Sequence, residues 1–173
     1  MADGTAVDEH TFRALMASHP GGVAVVTTAD GDGRPYGFTC TALCSVSLDP
    51  PRLLVCAAHT GRTLPVLAAR GAFVVNLLHT AGRRAAEAFA GRAADRFAQT
   101  DWRPGAATGL PVLSKDAHAV AECRVAALHP SGDHTIVVGD VLRSEVRSGA
   151  PAPLLYGRRQ YAAWSPAGLP PTP

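Results

Sequence analysis

Residues 117–128 and 134–146 are two long runs of strand-forming composition separated only by His129-Pro130-Ser131-Gly132-Asp133. A link that short joins strands antiparallel, because a parallel pair needs a crossover of a dozen or more residues. The pattern recurs upstream. Residues 23–29 (VAVVTTA) lead into Asp30-Gly31-Asp32-Gly33, a tight-turn signal, and then into Pro35 onward, which predicts a β-hairpin. Pro50-Pro51 breaks the chain before another strand at 52–58 (RLLVCAA). Residues 72–79 (AFVVNLLH) are apolar apart from Asn76, and 153–164 (PLLYGRRQYAAW) read as one more short strand.

Helices are fewer and shorter. Asp8 is placed to cap a first helix in which Phe12, Leu15 and Met16 share a face, ended by His19-Pro20-Gly21-Gly22. Thr60 or Thr63 starts a second, with Gly71 as its stop. Thr80 precedes an Ala-rich third (AGRRAAEAFAGR), and a further short helical piece contains Arg96 and Phe97. Residues 100–113 read as an ordered loop. Strands joined mostly by turns or short helices predict a mostly β protein with peripheral helices, its antiparallel sheet closed into a small barrel. At 173 residues the chain is read as one domain, 1–164, with a mobile Pro-rich tail at 165–173.

Composition narrows the function. Hydrophobic residues make up 47% and charged ones 17%, the balance of a globular protein. The net charge is +2, Lys115 is the only lysine, and the arginines are scattered apart from Arg83-Arg84 and Arg158-Arg159. Nucleic-acid binders concentrate such charge on one face, so that class is set aside. With no signal-peptide pattern and no apolar run long enough to span a bilayer, a cytoplasmic location without membrane attachment is expected. Cys40, Cys44, Cys56 and Cys123 lack a C-x-x-C pair and are expected to be reduced. No metal is expected, since His129, Asp133 and His134 make an incomplete ligand set.

The stretch YGFTCTALCSVSLDPPRLLVC, 36–56, carries small side chains and hydroxyls where a core strand prefers bulk. Read as one strand, it points Thr39 and Thr41 one way and Phe38, Cys40 and Ala42 the other. Ser45 and Ser47 continue the hydroxyl row if no bulge intervenes. Such a surface suits a flat, polar-edged ligand or a phosphate, and equally a solvated face. Asn76 either ties down a loop or faces a ligand. Gly132-Asp133-His134-Thr135 is either a polar turn or the mounting of a ligand-facing histidine; Ser131, Asp133 and His134 lie too close in one turn for a hydrolytic triad. No P-loop occurs, nor a G-x-G-x-x-G between strand and helix.

Four ordered blocks, GFTCTALCSVSLDPPRLLVC, FVVNLL, GDHTIVVGDV and PLLYGRRQY, resemble the short-chain flavin reductases of the FMN-binding split-barrel group, the reductase components of two-component flavin-dependent monooxygenases. The resemblance spans 12–164. It implies a Greek-key antiparallel split β-barrel, usually a homodimer with flavin near the subunit interface. By the same resemblance, the segment 38–46 (Phe38, Thr39, Cys40, Thr41, Ala42 and Val46 among its residues) cradles the isoalloxazine edge and ribityl chain. Ser45, Ser47, Thr60 and Thr63 contact phosphate or ribityl, and Asn76 and Leu77 lie by the ring. His134 stands near the nicotinamide, and Tyr156, Arg159 and Tyr161 close the site. Cys40 departs from the serine or alanine expected there. The activity implied is NAD(P)H:flavin oxidoreduction, with FMN or FAD passed on reduced to a partner monooxygenase. A split-barrel flavoprotein with prosthetic FMN and a non-catalytic flavin-binding module are the alternatives. The residues do not choose between FMN and FAD, nor between NADH and NADPH, because nothing in the sequence locates an arginine able to read a 2′-phosphate.

Overall fold

A computed structural model describes residues 7–91 and 96–165. The expected tail at 165–173 therefore lies, Ser165 apart, outside the described residues. In chain order the elements are α1 (Glu9–Ala17), β1 (Gly21–Gly22), β2 (Ala24–Ala29), β3 (Pro35–Cys40), β4 (Leu43–Leu48), β5 (Pro51–Ala58), α2 (Thr63–Arg70) and β6 (Ala72–Leu78). After a 3-10 turn at Thr80–Gly82 come α3 (Arg83–Ala90), β7 (Arg103–Pro104), β8 (Pro111–Val112), β9 (Ala117–Ser131), β10 (His134–Val146), β11 (Leu154–Gly157) and β12 (Gln160–Ala163).

Local chemistry explains several boundaries. The Asp8 carboxylate accepts the Thr11 amide and caps α1. Gly71 ends α2 at φ 68°, a left-handed stop that suits glycine. The Asp30 carboxylate accepts the amides of Asp32 and Arg34 and so closes the β2–β3 turn.

Seven strands form one antiparallel sheet in the order β3-β2-β6-β9-β10-β5-β4. Its outermost strands, β3 and β4, are consecutive in sequence, so the sheet must curl to let the chain pass between them. The expected barrel is not closed by a ladder. Thr41 and Ala42 cross the gap, and across it the Cys56 amide donates to the Ala42 carbonyl at 3.2 Å. The block at 36–56 is therefore three strands, and its hydroxyl row does not run on: Thr41 leaves the ladder, and a bulge falls between Ser45 and Ser47. The long hairpin turns on Gly132-Asp133 alone, with His129 to Ser131 paired into β9. The last segment is a hairpin of two strands, not one. The described part of the piece around Arg96 and Phe97 forms turns, and the loop at 100–113 contains the short pair β7–β8.

Strand β2 is buried along its whole length because both faces of the sheet are covered there. Val26 packs with Val55, Phe73, Val75, Val137 and Leu67 of α2, while Val23 and Val25 pack with Leu78, Ala86, Phe89 and Leu154 beneath α3. Gly37 permits the second contact, since a Cβ there would stand 2.9 Å from the Phe89 ring.

Burial pushes the thiols of Cys40 and Cys123 up to about 11 and about 12, from an ordinary 9.0. Their contribution to stability is complete below pH 9 and is lost as the pH rises through those raised values, because the unfolded chain ionises first. The loss is about 1.4 kcal/mol per pH unit for each thiol. Chemical denaturation between pH 8 and pH 11 is expected to show this fall, and the Cys123→Ala variant a shallower one; parallel profiles would remove the thiols as its cause.

Candidate functional site

A cleft of about 700 Å³ opens where β3, α3 and the β11–β12 hairpin meet, within the size range of small-molecule sites. Its floor is Val23, Thr39 and Thr41. Arg83, Glu87 and Ala90 form one wall, and they share a face because i, i+4 and i+7 lie along one side of a helix. The other side of α3, through Ala85, Ala86 and Phe89, is buried. Gly82 sets the start of α3 against the Asp116 carbonyl, which a Cβ would meet at 2.5 Å. Tyr156, Arg159, Gln160 and Tyr161 supply the second wall. That hairpin is fastened by β1, with Gly21 opposite Tyr156 and Gly22 opposite Leu155.

The groups of the cleft are oriented by one another. The Thr39 hydroxyl donates to the Ala86 carbonyl at 2.6 Å and ties the floor to α3. Arg83 Nε donates to Glu87 Oε1 at 2.8 Å, and the Arg83 guanidinium lies 5.3 Å from the centre of the Tyr161 ring. The Tyr156 and Tyr161 rings are 5.1 Å apart. Burial first, and then the Glu87 carboxylate and Tyr156, hold the Tyr161 phenol above its ordinary value. The walls thus offer aromatic faces, hydroxyls and guanidinium groups. Such a set suits a planar, phosphate-bearing molecule, and where a cofactor binds, it carries the hard chemistry.

Five of the residues expected at the site meet here: Thr39, Thr41, Tyr156, Arg159 and Tyr161. The rest divide. Asn76 is completely buried, its amide donating to Val25 O and Thr27 Oγ1 and its oxygen accepting the Leu113 amide. Its side chain faces the core and ties down the loop at Leu113, the first of the two roles open to it, and not a ligand in this cleft. Cys40 and Thr63 are buried as well, and Phe38 and Leu77 pack half-buried against the core. Ala42 spends its carbonyl on the Cys56 amide. Ser45, Val46 and Ser47 lie on β4, the opposite edge strand of the sheet. Thr60 follows β5, and His134 pairs with Ala58 at that strand's end, its Nδ1 2.7 Å from Asp133 Oδ1. The hydrogen bond and charge of His134 hold the Asp133 carboxyl below its ordinary range. His134 does not line the cleft of its own chain.

Arg83, Glu87, Ala90, Val23 and Gln160 were not expected. The spacing of Arg83, Glu87 and Ala90 was visible in the sequence, but it is also that of any solvated helix face, so it carried no signal until β3 and the last hairpin flanked it.

The model of the flavin reductase-like domain family matches residues 16–165. Over 158 residues, 91% of this chain and 83% of the relative, the protein is 51% identical to a flavin reductase (NADH) of Kitasatospora aureofaciens. It is 48% identical over 165 residues, 95% of each chain, to a flavin reductase (NADPH) of Lentzea aerocolonigenes. Among solved structures, a homologue of nitrilotriacetate monooxygenase component B from Mycobacterium thermoresistibile superposes with a TM-score of 0.88 at 34% identity, covering 96% of this chain and 92% of that one.

Proposed function

The chain belongs to the flavin reductase-like domain family, and from that membership we propose that it reduces a flavin with NADH or NADPH and releases the reduced flavin to a separate oxygenase. It is an NAD(P)H-dependent flavin reductase. The observation that carries this is the match to flavin reductases along nearly the whole chain. The cleft fits the same reading. Tyr156 and Tyr161 offer faces for a ring system, Thr39 and Thr41 line the floor for the polar edge, and Arg83 and Arg159 are cations for phosphate. A bound flavin supplies the redox chemistry by accepting hydride from the nicotinamide. The protein's part is to hold two rings in register and to keep water from them. Tyr161 does this as a neutral phenol, and Arg83 does it with its guanidinium held against that ring.

The enzyme is read as a cytoplasmic homodimer. On β5 and β10, Val55, Ala57 and Val137 point into the core, while Leu54, Cys56, Ile136 and Val138 are only half-buried on the other face. Leu54 lies opposite Val138 and Cys56 opposite Ile136, so the four form a continuous apolar patch. A second copy of the chain is its natural cover. His134 and Thr60 stand at the end of this patch, so a dimer across it is the arrangement in which they contribute to a shared site. No helix among the described residues is long and apolar enough to cross a membrane.

The deciding experiment is oxidation of NADH or NADPH by the purified protein with and without FMN or FAD. Rapid consumption that depends on added flavin is expected, from a species sedimenting as a dimer of the 17.9 kDa chain. Flavin binding without consumption of either donor would leave a binding module, and sedimentation as a monomer would remove the dimer.

A further inference from the structure

Four segments far apart in sequence meet at His79, just past the end of β6. Its amide donates to the Asp116 carbonyl at 3.1 Å, and its own carbonyl accepts the Gly82 amide at 2.8 Å as the chain turns into α3. It forms an isolated antiparallel bridge with Pro153, and beside it the Thr80 amide donates to the Ala152 carbonyl at 2.9 Å. One residue earlier the Leu78 amide donates to the Val23 carbonyl, and the Val23 amide donates to the Leu154 carbonyl. The start of α3 carries Arg83 and Glu87, β11 carries Tyr156, and Val23 belongs to the floor. Both walls of the cleft and part of its floor thus hang from one short stretch of backbone.

The His79 side chain adds one bond to this joint. It is only 4% exposed, and its Nε2 lies 2.8 Å from the Lys115 carbonyl. A carbonyl can only accept, so Nε2 carries the hydrogen. Nδ1 is then left without a hydrogen-bond partner, the one buried side-chain nitrogen or oxygen among the described residues of which this is true. Such an orphan costs free energy. The bond itself reaches a residue on an exposed turn, where water can take its place. A leucine would fill the same room without the orphan, so stability is a poor account of the imidazole. Geometry is a better one. The bond pins the Lys115-Asp116 turn, and the Asp116 carbonyl is the surface on which Gly82 seats. Movement of that turn moves the start of α3, and Arg83 with it, relative to the Tyr161 ring it faces at 5.3 Å.

We propose that His79 is a positioning residue of the reductase: through the Lys115 carbonyl it fixes the spacing of the two cleft walls and so sets the affinity for flavin, touching no ligand itself. The proposal rests on the reading of this cleft as the reductase site. His79→Leu removes the bond and the orphan together, whereas His79→Gln keeps an N–H that reaches the Lys115 carbonyl. The leucine variant should hold its thermal midpoint near that of wild type. Its KM for flavin is expected to rise on the order of ten-fold with kcat at saturating flavin within about two-fold, the mark of a displaced binding wall. The glutamine variant should recover most of that loss. Amide hydrogen exchange without ligand should quicken over residues 80–87 in the leucine variant and return toward wild type in the glutamine one. A leucine variant with wild-type KM overturns the proposal, and so does one that fails to fold, since the bond is then a stability element. A glutamine variant no better than leucine overturns it too. A raised KM with unaltered exchange does the same by making His79 a ligand contact. If the wild-type protein oxidises neither donor in the presence of flavin, the reductase reading fails and the proposal with it, whatever the exchange shows.

Discussion

Asn76→Ala is expected to destabilise the protein by about 3–5 kcal/mol while the KM values of the folded fraction for flavin and donor stay within about two-fold of wild type. The Asn76 oxygen accepts the Leu113 amide at 2.8 Å, and its amide donates to Val25 O at 3.0 Å and Thr27 Oγ1 at 3.2 Å. All of these groups are buried, and Thr27 in turn donates to the Pro111 carbonyl. Asn76 and Thr27 therefore fasten the segment around Leu113 onto β2 and β6. Alanine leaves a buried N–H without an acceptor and opens a small cavity, two costs that add. Urea denaturation would measure the loss. A variant of near wild-type stability with a sharply raised flavin KM would instead return Asn76 to the ligand.

Thr41→Trp is expected to do the reverse, weakening flavin binding on the order of a hundred-fold with little change in stability. Thr41 is exposed, sits outside the ladder between β3 and β4, and forms part of the cleft floor. An indole there has room to fold without disturbing the core, but only by filling the cleft proposed for the flavin ring. Fluorescence titration with FMN and FAD reads the effect. Unchanged affinity in a folded variant would place flavin outside this cleft, and the roles of Tyr156 and Tyr161 would go with it.

These two residues show how far the sequence could be read. Asn76 stood out as a polar group in an apolar run, and Thr41 as one of a row of small hydroxyls. Alternation along a strand could separate Thr39 and Thr41 from Cys40, but it could not say whether a buried amide had protein or ligand beside it. That depends on Leu113, 37 residues away in sequence. In the same way His134 belonged to a recognisable block, yet its chain places it at the end of β10 and away from the cleft.

Much of the local chemistry was legible, although the last hairpin was read as one strand. The Asp8 cap, the Gly71 stop, the Asp30-to-Gly33 turn and the long antiparallel hairpin each depend on residues within a few positions of one another, so the sequence by itself determined them. The order of its four blocks also determined the family. Tertiary structure alone decided the rest. Curling of the sheet brings Thr41 and Ala42 between its two edge strands. Pairing of Gly21-Gly22 with β11 carries Tyr156, Arg159 and Tyr161 beside Thr39, and the seating of Gly82 on Asp116 turns Arg83 and Glu87 toward them. The physical reason is the range of the forces involved. Caps and turns are satisfied by neighbouring backbone groups, whereas a cleft is space left between surfaces more than a hundred residues apart in the chain, and its shape exists only once all of them have packed.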